Sequence, residues 1–207
     1  MKCENYFEKQ YYEQNHSYVV GIDEAGRGPI CGPLVVAAVV FPKGYEHDEI
    51  YDSKKLSEKK RIQLFNQIID DALEFYIQVV EPKVIDELNI YRATQKTMQD
   101  LVDRFDHCDA VLTDAMPLPN CKYPTNPLVK GDQKSVSIAA ASILAKVTRD
   151  RIMQLYDQIY PQYGFANHKG YPTKKHLEAI EKYGIIDEFY RHSYGPVARL
   201  DQMSFDF

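Results

Sequence analysis

Asp23 and Glu24 stand side by side at the end of an apolar run and are followed at once by Ala25-Gly26-Arg27-Gly28-Pro29. Adjacent carboxylates offer hard oxygen ligands to divalent cations, and amides exposed in a glycine-rich turn offer donors to phosphate. One short stretch therefore holds both halves of a metal-assisted phosphoryl site, although the same residues would also suit an ordinary turn. Asp114 and Asp132 share the context: each comes after an apolar run and before a small residue or a turn, where α/β sheets carry their ligand groups. If these four acids converge, each pair of like charges about 4 Å apart costs on the order of 4 kcal/mol at an effective dielectric of about 20. Such repulsion raises carboxylate pKa values until a cation relieves it. Spacing alone leaves convergence open, and any one of the acids would also suit a solvated loop or a helix cap.

The elements that must position these acids follow from hydrophobic period. Ser17 to Ile22 and Leu34 to Phe41 are β-branched runs separated by Gly and Pro, so a strand, a wide turn and a fully buried strand are expected. Ser57 can cap a helix with the apolar stripe Ile62, Phe65, Ile69 and Leu73, and Phe75 to Val80 reads as a third strand. Pro82 suits the first turn of a helix. An amphipathic segment with Ile90, Thr94, Met98, Leu101 and Phe105 on one side then leads to a short strand, Ala110 to Thr113, that ends in Asp114. Thr125 to Val129 is a Pro-containing strand that runs into Lys130-Gly131-Asp132. From Ser135 to Tyr160, Val136, Ala140, Ile143, Leu144, Val147, Leu155 and Ile159 follow a helical period. Thr173 can cap a helix from Lys174 to Tyr183 that stops at Gly184.

The 207 residues suit one compact α/β domain with a helical C-terminal appendage. A net charge of -5 argues against a protein that coats nucleic acid through bulk charge, so any such contact must be a local basic face. Two stretches supply one: Lys54, Lys55, Lys59, Lys60 and Arg61, and Lys169, Lys174, Lys175 and His176. The four cysteines have no metal-ligand spacing and read as reduced thiols. The start of the chain lacks a signal-peptide core, and Leu34 to Phe41 is too short to span a bilayer. A cytoplasmic protein with no membrane segment is expected.

Set beside Asp52-Ser53-Lys54-Lys55-Leu56-Ser57, Asp86-Glu87-Leu88-Asn89-Ile90, Lys130-Gly131-Asp132, Ala139 to Asp150, Pro161 to Phe165, His168-Lys169-Gly170-Tyr171-Pro172-Thr173 and Ser193 to Val197, the Asp23-to-Pro29 stretch resembles the ribonuclease HII (type 2 ribonuclease H) family. The likeness covers about Tyr18 to Arg199, and several independent motifs in the right order make it specific. It implies an α/β, RNase H-like fold, a mixed five-stranded sheet flanked by helices, with a C-terminal helical extension. It divides the chain into an N-terminal extension (1–16), the domain proper (17–200, its helical part from about 160) and a tail (201–207).

The activity implied by the resemblance is endonucleolytic hydrolysis of the RNA strand of RNA-DNA hybrids, with cutting on the 5′ side of single ribonucleotides embedded in DNA. Asp23, Glu24, Asp114 and Asp132 match the family's catalytic acids, the first three as metal ligands for two Mg²⁺ or Mn²⁺ ions. One ion would activate water and the other would stabilise the departing 3′ oxygen, leaving 3′-hydroxyl and 5′-phosphate ends. Gly26, Arg27 and Gly28 match the loop that meets the 2′-hydroxyl and nearby phosphate, Tyr171 the residue that stacks on the junction sugar, and Ser53 and Lys54 a turn near substrate phosphates. The chain departs from the pattern after Asp114, where Ala115 replaces the usual glycine. Gln202 to Phe207 resembles short peptides that dock on bacterial sliding clamps, a disordered tail without such a partner being the other reading, and a monomer is expected. Two other classes stay open: a nucleic-acid-binding module that keeps the fold without chemistry, and a metal phosphohydrolase of free nucleotides.

Overall fold

The computed structural model describes Cys3 and residues 5–204. In chain order the elements are α1 (Tyr6–Glu13), β1 (Val19–Ala25), β2 (Leu34–Val40), α2 (Glu58–Asp71), β3 (Glu74–Val80), α3 (Pro82–Leu88), α4 (Ile90–Val102), β4 (Ala110–Asp114), β5 (Thr125–Leu128), α5 (Val136–Ile159), α6 (Phe165–His168), α7 (Lys174–Tyr183) and α8 (Gly195–Ser204). The five strands form one sheet in the order β3-β2-β1-β4-β5. β1 runs antiparallel to β2 and parallel to β4, and β4 runs parallel to β5. The mixed sheet flanked by helices is the expected fold.

The chain packs as two compact units. The first comprises residues up to Ala25, Val35–Gln78 and Thr94–Val147; the second comprises Gly26–Leu34, Val79–Ala93 and the chain from Thr148 on.

In the first unit the sheet carries the core. Every residue of β2 is buried, as its unbroken apolar run requires. Pro127, which cannot donate to a ladder, lies on β5 at the sheet's edge, where proline is tolerated. The N-terminal end of α5 lies hard on β1: a Cβ at Gly21 would sit 2.2 Å from the Ser137 backbone carbon, so only glycine fits two residues before Asp23. Ser57 caps α2 by accepting from the Lys60 N–H at 3.3 Å.

α2 buries Phe65 as expected, but the rest of its inward face is rotated from the expected stripe. Leu64, Phe65 and Ile68 are buried, whereas Ile62 and Leu73 are exposed and the helix ends at Asp71. Two apolar arcs overlap in Ile62 to Ile69, and burial of Leu64 and Ile68 selects between them. α1 was not foreseen. Its Glu8 is buried, accepts from the Ser135 hydroxyl at 2.6 Å and from the Ser137 N–H at 3.2 Å, and so places a carboxylate at the N-terminus of α5.

The second unit is helical. Ile30, Cys31, Met153, Phe165, Ile180, Phe189, Tyr190 and Val197 form its apolar centre. α5 contributes Met153 there, while Leu155 and Ile159, expected on the apolar face, are exposed. Thr173 caps α7 and Gly184 ends it. The backbone of 201–204 continues α8, and residues 205–207 of the suspected clamp peptide lie outside the described residues. Among the described residues no helix is long and apolar enough to cross a membrane.

Candidate active site

Register brings the first two acids together. β1 and β4 pair in parallel through Ile22 and Thr113, so the next residue on each strand is Asp23 and Asp114. β4 pairs Asp114 with Leu128 of β5, and the chain then turns through Lys130 into the short helical turn Gly131–Gln133, which carries Asp132. The Gly131 N–H donates to Asp114 Oδ1 at 2.8 Å, tying that turn to the strand end. One carboxylate oxygen from each of Asp23, Asp114 and Asp132 lies within 4.8 Å of the others.

Glu24 follows Asp23 on a strand whose side chains alternate between faces. It is half-buried, lies close enough to repel the Asp23 carboxylate, and falls outside the three-oxygen group.

The electrostatics are those of crowded acids. Burial, then repulsion from Glu24 and Asp114, pushes the Asp23 carboxyl well above the ordinary range, and the N–H of Glu24, 2.7 Å from its Oδ1, only partly compensates. Burial, then Asp52 and Asp114, raises Asp132 to about 6, with Lys54 acting in the opposite direction.

Asp52 was missed as a member of this group. It is buried, its Oδ1 accepts from the Lys54 N–H at 3.0 Å and its Oδ2 from Gln133 at 3.2 Å. The signal was present in the Asp52-Ser53-Lys54 turn, but nothing in the spacing tied it to Asp132. Ser53 is buried, and its carbonyl accepts from Arg61 at 3.0 Å, so Arg61 braces this turn. Although burial alone would lower it, the Lys54 ammonium is held above its ordinary pKa by Asp132, Asp23, Asp52 and Asp114. Ser53 and Lys54 thus stand with the acids.

In the second unit, Gly26 to Pro33 and Tyr171 lie together. A Cβ at Gly28 would meet the Tyr171 ring at 3.2 Å, and Tyr171 is 49% exposed with its ring against the turn. Arg27 is exposed. His176, read from sequence as part of a basic face, is fully buried: Nδ1 sits 2.8 Å from the Tyr171 carbonyl and Nε2 2.8 Å from the Tyr190 hydroxyl. A carbonyl only accepts, so Nδ1 carries the proton and His176 is a neutral brace for Tyr171. Burial lowers its pKa to about 4.

Two buried arginines, Arg149 and Arg191, were also missed. Arg149 donates to the carbonyls of Pro33, Lys169 and Cys31 at 2.9, 2.9 and 3.2 Å. A buried arginine that bonds only carbonyls leaves no pattern in sequence, because its partners are far along the chain.

A mixed sheet whose central parallel strands deliver aspartates to one point, with a third on the next turn, defines a metal-dependent hydrolase of the RNase H-like fold. The comparisons narrow this. The family model for ribonuclease HII matches residues 20–197, and the chain belongs to that family. It is 53% identical over 182 residues to the ribonuclease HII of Clostridioides difficile (strain 630), covering 87% of this chain and 71% of the relative. Among solved structures it is similar to the ribonuclease H2 of Pyrococcus horikoshii OT3, with a TM-score of 0.76, 27% identity and coverage of 92% of this chain and 100% of that one. It is also similar to the RNase HII of Archaeoglobus fulgidus, solved in complex with PCNA, with a TM-score of 0.69, 25% identity and coverage of 84% and 92%. The chain is a ribonuclease H, an endonuclease that requires divalent metal.

Proposed function

We propose that this ribonuclease H hydrolyses the RNA strand of RNA-DNA hybrids and cuts on the 5′ side of single ribonucleotides embedded in duplex DNA, leaving 3′-hydroxyl and 5′-phosphate ends. The observation that carries the reading is the convergence of the Asp23, Asp114 and Asp132 carboxylates within 4.8 Å. The donor set is all hard oxygen, which suits Mg²⁺ or Mn²⁺, and burial followed by mutual repulsion raises the pKa values of Asp23 and Asp132, a penalty on charge that a divalent cation relieves. Asp23, Asp114 and Asp132, with Glu24 beside them, would hold two such ions. Bound there, the ions would supply an activated water and charge stabilisation for the leaving oxygen.

The chain's own groups do the rest. Gly131 N–H fixes the Asp114 rotamer, and Lys54 gives the acids a counter-charge that can meet a phosphate. Gly26, Arg27, Gly28 and Tyr171 read the ribose: the 2′-hydroxyl separates RNA from DNA, and glycine lets backbone come close to it. The exposed Tyr171 ring on Gly28 suits stacking on a sugar. The complete acid set disfavours a binding module without chemistry, and the exposed tyrosine beside the turn disfavours a hydrolase of free nucleotides. Residues 202–207 would dock on a sliding clamp, a reading supported by the PCNA complex of the Archaeoglobus fulgidus relative.

The test is a labelled duplex with one ribonucleotide, incubated with Mg²⁺ or Mn²⁺. Wild type should cut 5′ of that nucleotide and Asp23→Asn should not. Equal product from both, or cutting of an all-DNA duplex at the same rate, would refute the reading.

A further inference from the structure

We infer that Arg191, together with the Tyr194 hydroxyl, is the positioning residue for the Gly26-Arg27-Gly28 turn, and that its hydrogen bonds set how tightly substrate binds. The inference rests on the reading of that turn as a substrate contact.

Arg191 is fully buried. Its Nη2 donates to the carbonyls of Gly26 and Gly32 at 2.8 and 2.9 Å, and its Nε to Gly32 at 3.1 Å. Its Nη1 donates to Pro29 at 2.8 Å, to the Tyr194 hydroxyl at 3.1 Å and, more weakly, to Arg27 at 3.3 Å. The Tyr194 hydroxyl in turn donates to the Arg27 carbonyl at 2.7 Å. Four carbonyls of a seven-residue stretch thus converge on one guanidinium.

Such a stretch, rich in Gly and Pro, has no regular ladder to hold it, and fixing each residue costs backbone entropy. A guanidinium is suited to the task because its five donors fan out in a fixed plane; an ammonium offers three from one point. Taking a cation out of water costs several kcal/mol, which here is offset by bonds that go almost wholly to this turn. The peptide geometry carries the effect outward. In a trans peptide the C=O and the following N–H point in opposite directions. Drawing the Arg27 carbonyl inward therefore turns the N–H of exposed Gly28 away from Arg191, as a donor for a ribose or phosphate oxygen.

The test compares wild type, Arg191→Lys, Tyr194→Phe and Gly28→Ala on the duplex with one ribonucleotide, with KM, kcat and melting temperature measured for each. Arg191→Lys changes a buried group and also lowers the melting temperature; Tyr194→Phe removes only a hydroxyl and keeps the fold. Loss of that bond should raise KM about three- to tenfold with kcat nearly unchanged. Arg191→Lys should raise KM further. Gly28→Ala, whose methyl would press on the Tyr171 ring, should raise KM through the contact itself. A merely structural role would lower kcat through a smaller active fraction and leave KM as it was, which would overturn the inference. If Gly28→Ala weakens binding while Tyr194→Phe and Arg191→Lys keep the wild-type KM, the inference fails and the reading of the turn stands. If Gly28→Ala also keeps the wild-type KM, the reading of the turn fails and takes the inference with it.

Discussion

Asp23 and Asp114 stand on neighbouring parallel strands one step beyond the Ile22-Thr113 pair, and each brings a carboxylate oxygen within 4.8 Å of the other's. Strand register, set by apolar residues that pack the core, thereby decides where two charges meet. A one-residue slip would send one of them to the opposite face.

Catalysis and stability should oppose each other at Asp23. Burial, Glu24 and Asp114 all disfavour its charge, so Asp23→Asn removes a group that destabilises the metal-free fold. The variant should lose at least about 10³-fold in cleavage rate, several kcal/mol of transition-state stabilisation. Its metal-free melting temperature at pH 8 should rise by about 2–4 °C, the shift expected for roughly 1 kcal/mol in a chain of this size. A lower melting temperature would contradict the crowding described for this site.

Metal should stabilise the protein more at high pH. Asp132 has a folded pKa raised to about 6, above the unfolded value of about 3.9. Between those values the unfolded chain gives up the proton first, so stability of the metal-free protein falls as pH rises from about 4 through 6. Asp23 shifts in the same direction. Mn²⁺ should therefore raise the melting temperature more at pH 8 than at pH 5, and the reverse order in a thermal-shift series would count against the cluster as the binding site.

Ala115 follows Asp114 with φ +55°, in the left-handed region. A Cβ there costs about 1–2 kcal/mol, partly balanced by the extra freedom glycine gives the unfolded chain. Ala115→Gly should thus stabilise by about 0.5–1 kcal/mol in urea unfolding with activity retained.

His176 should set part of the acid limit. It is neutral in both states above about 6.5; below that the unfolded chain takes up a proton that the folded state resists until about 4. The folded state should lose up to about 3 kcal/mol across this window from His176 alone. The drop in unfolding free energy from pH 7.5 to 4.5 should be smaller in His176→Gln than in wild type by about 2 kcal/mol. Equal drops would remove His176 from the account.

Much of this arrangement was legible in the sequence. An apolar run that ends in an acid, twice over, marked Asp23 and Asp114, because buried parallel strands are apolar throughout and their ends carry the polar groups. Asp132 alone read as readily as a solvated loop residue, and only the resemblance carried by Lys130-Gly131-Asp132 singled it out. Other parts depend on pairings that no local pattern encodes. Leu64 and Ile68 instead of Ile62 and Ile69 face inward on α2 because two arcs of similar hydrophobicity compete. His176 looked basic among lysines, yet its ring is buried between the Tyr171 carbonyl and the Tyr190 hydroxyl. Arg191 meets carbonyls more than 150 positions earlier in the chain, and a carbonyl has no residue type to read.

The claim that these carboxylates form the divalent-metal site is tested most directly by calorimetric titration of Mn²⁺ into wild type, Asp114→Asn and the control Glu13→Gln, an exposed acid outside the three-oxygen group. Affinity should fall at least tenfold in Asp114→Asn and stay at the wild-type value in Glu13→Gln. Undiminished binding by Asp114→Asn would contradict the account.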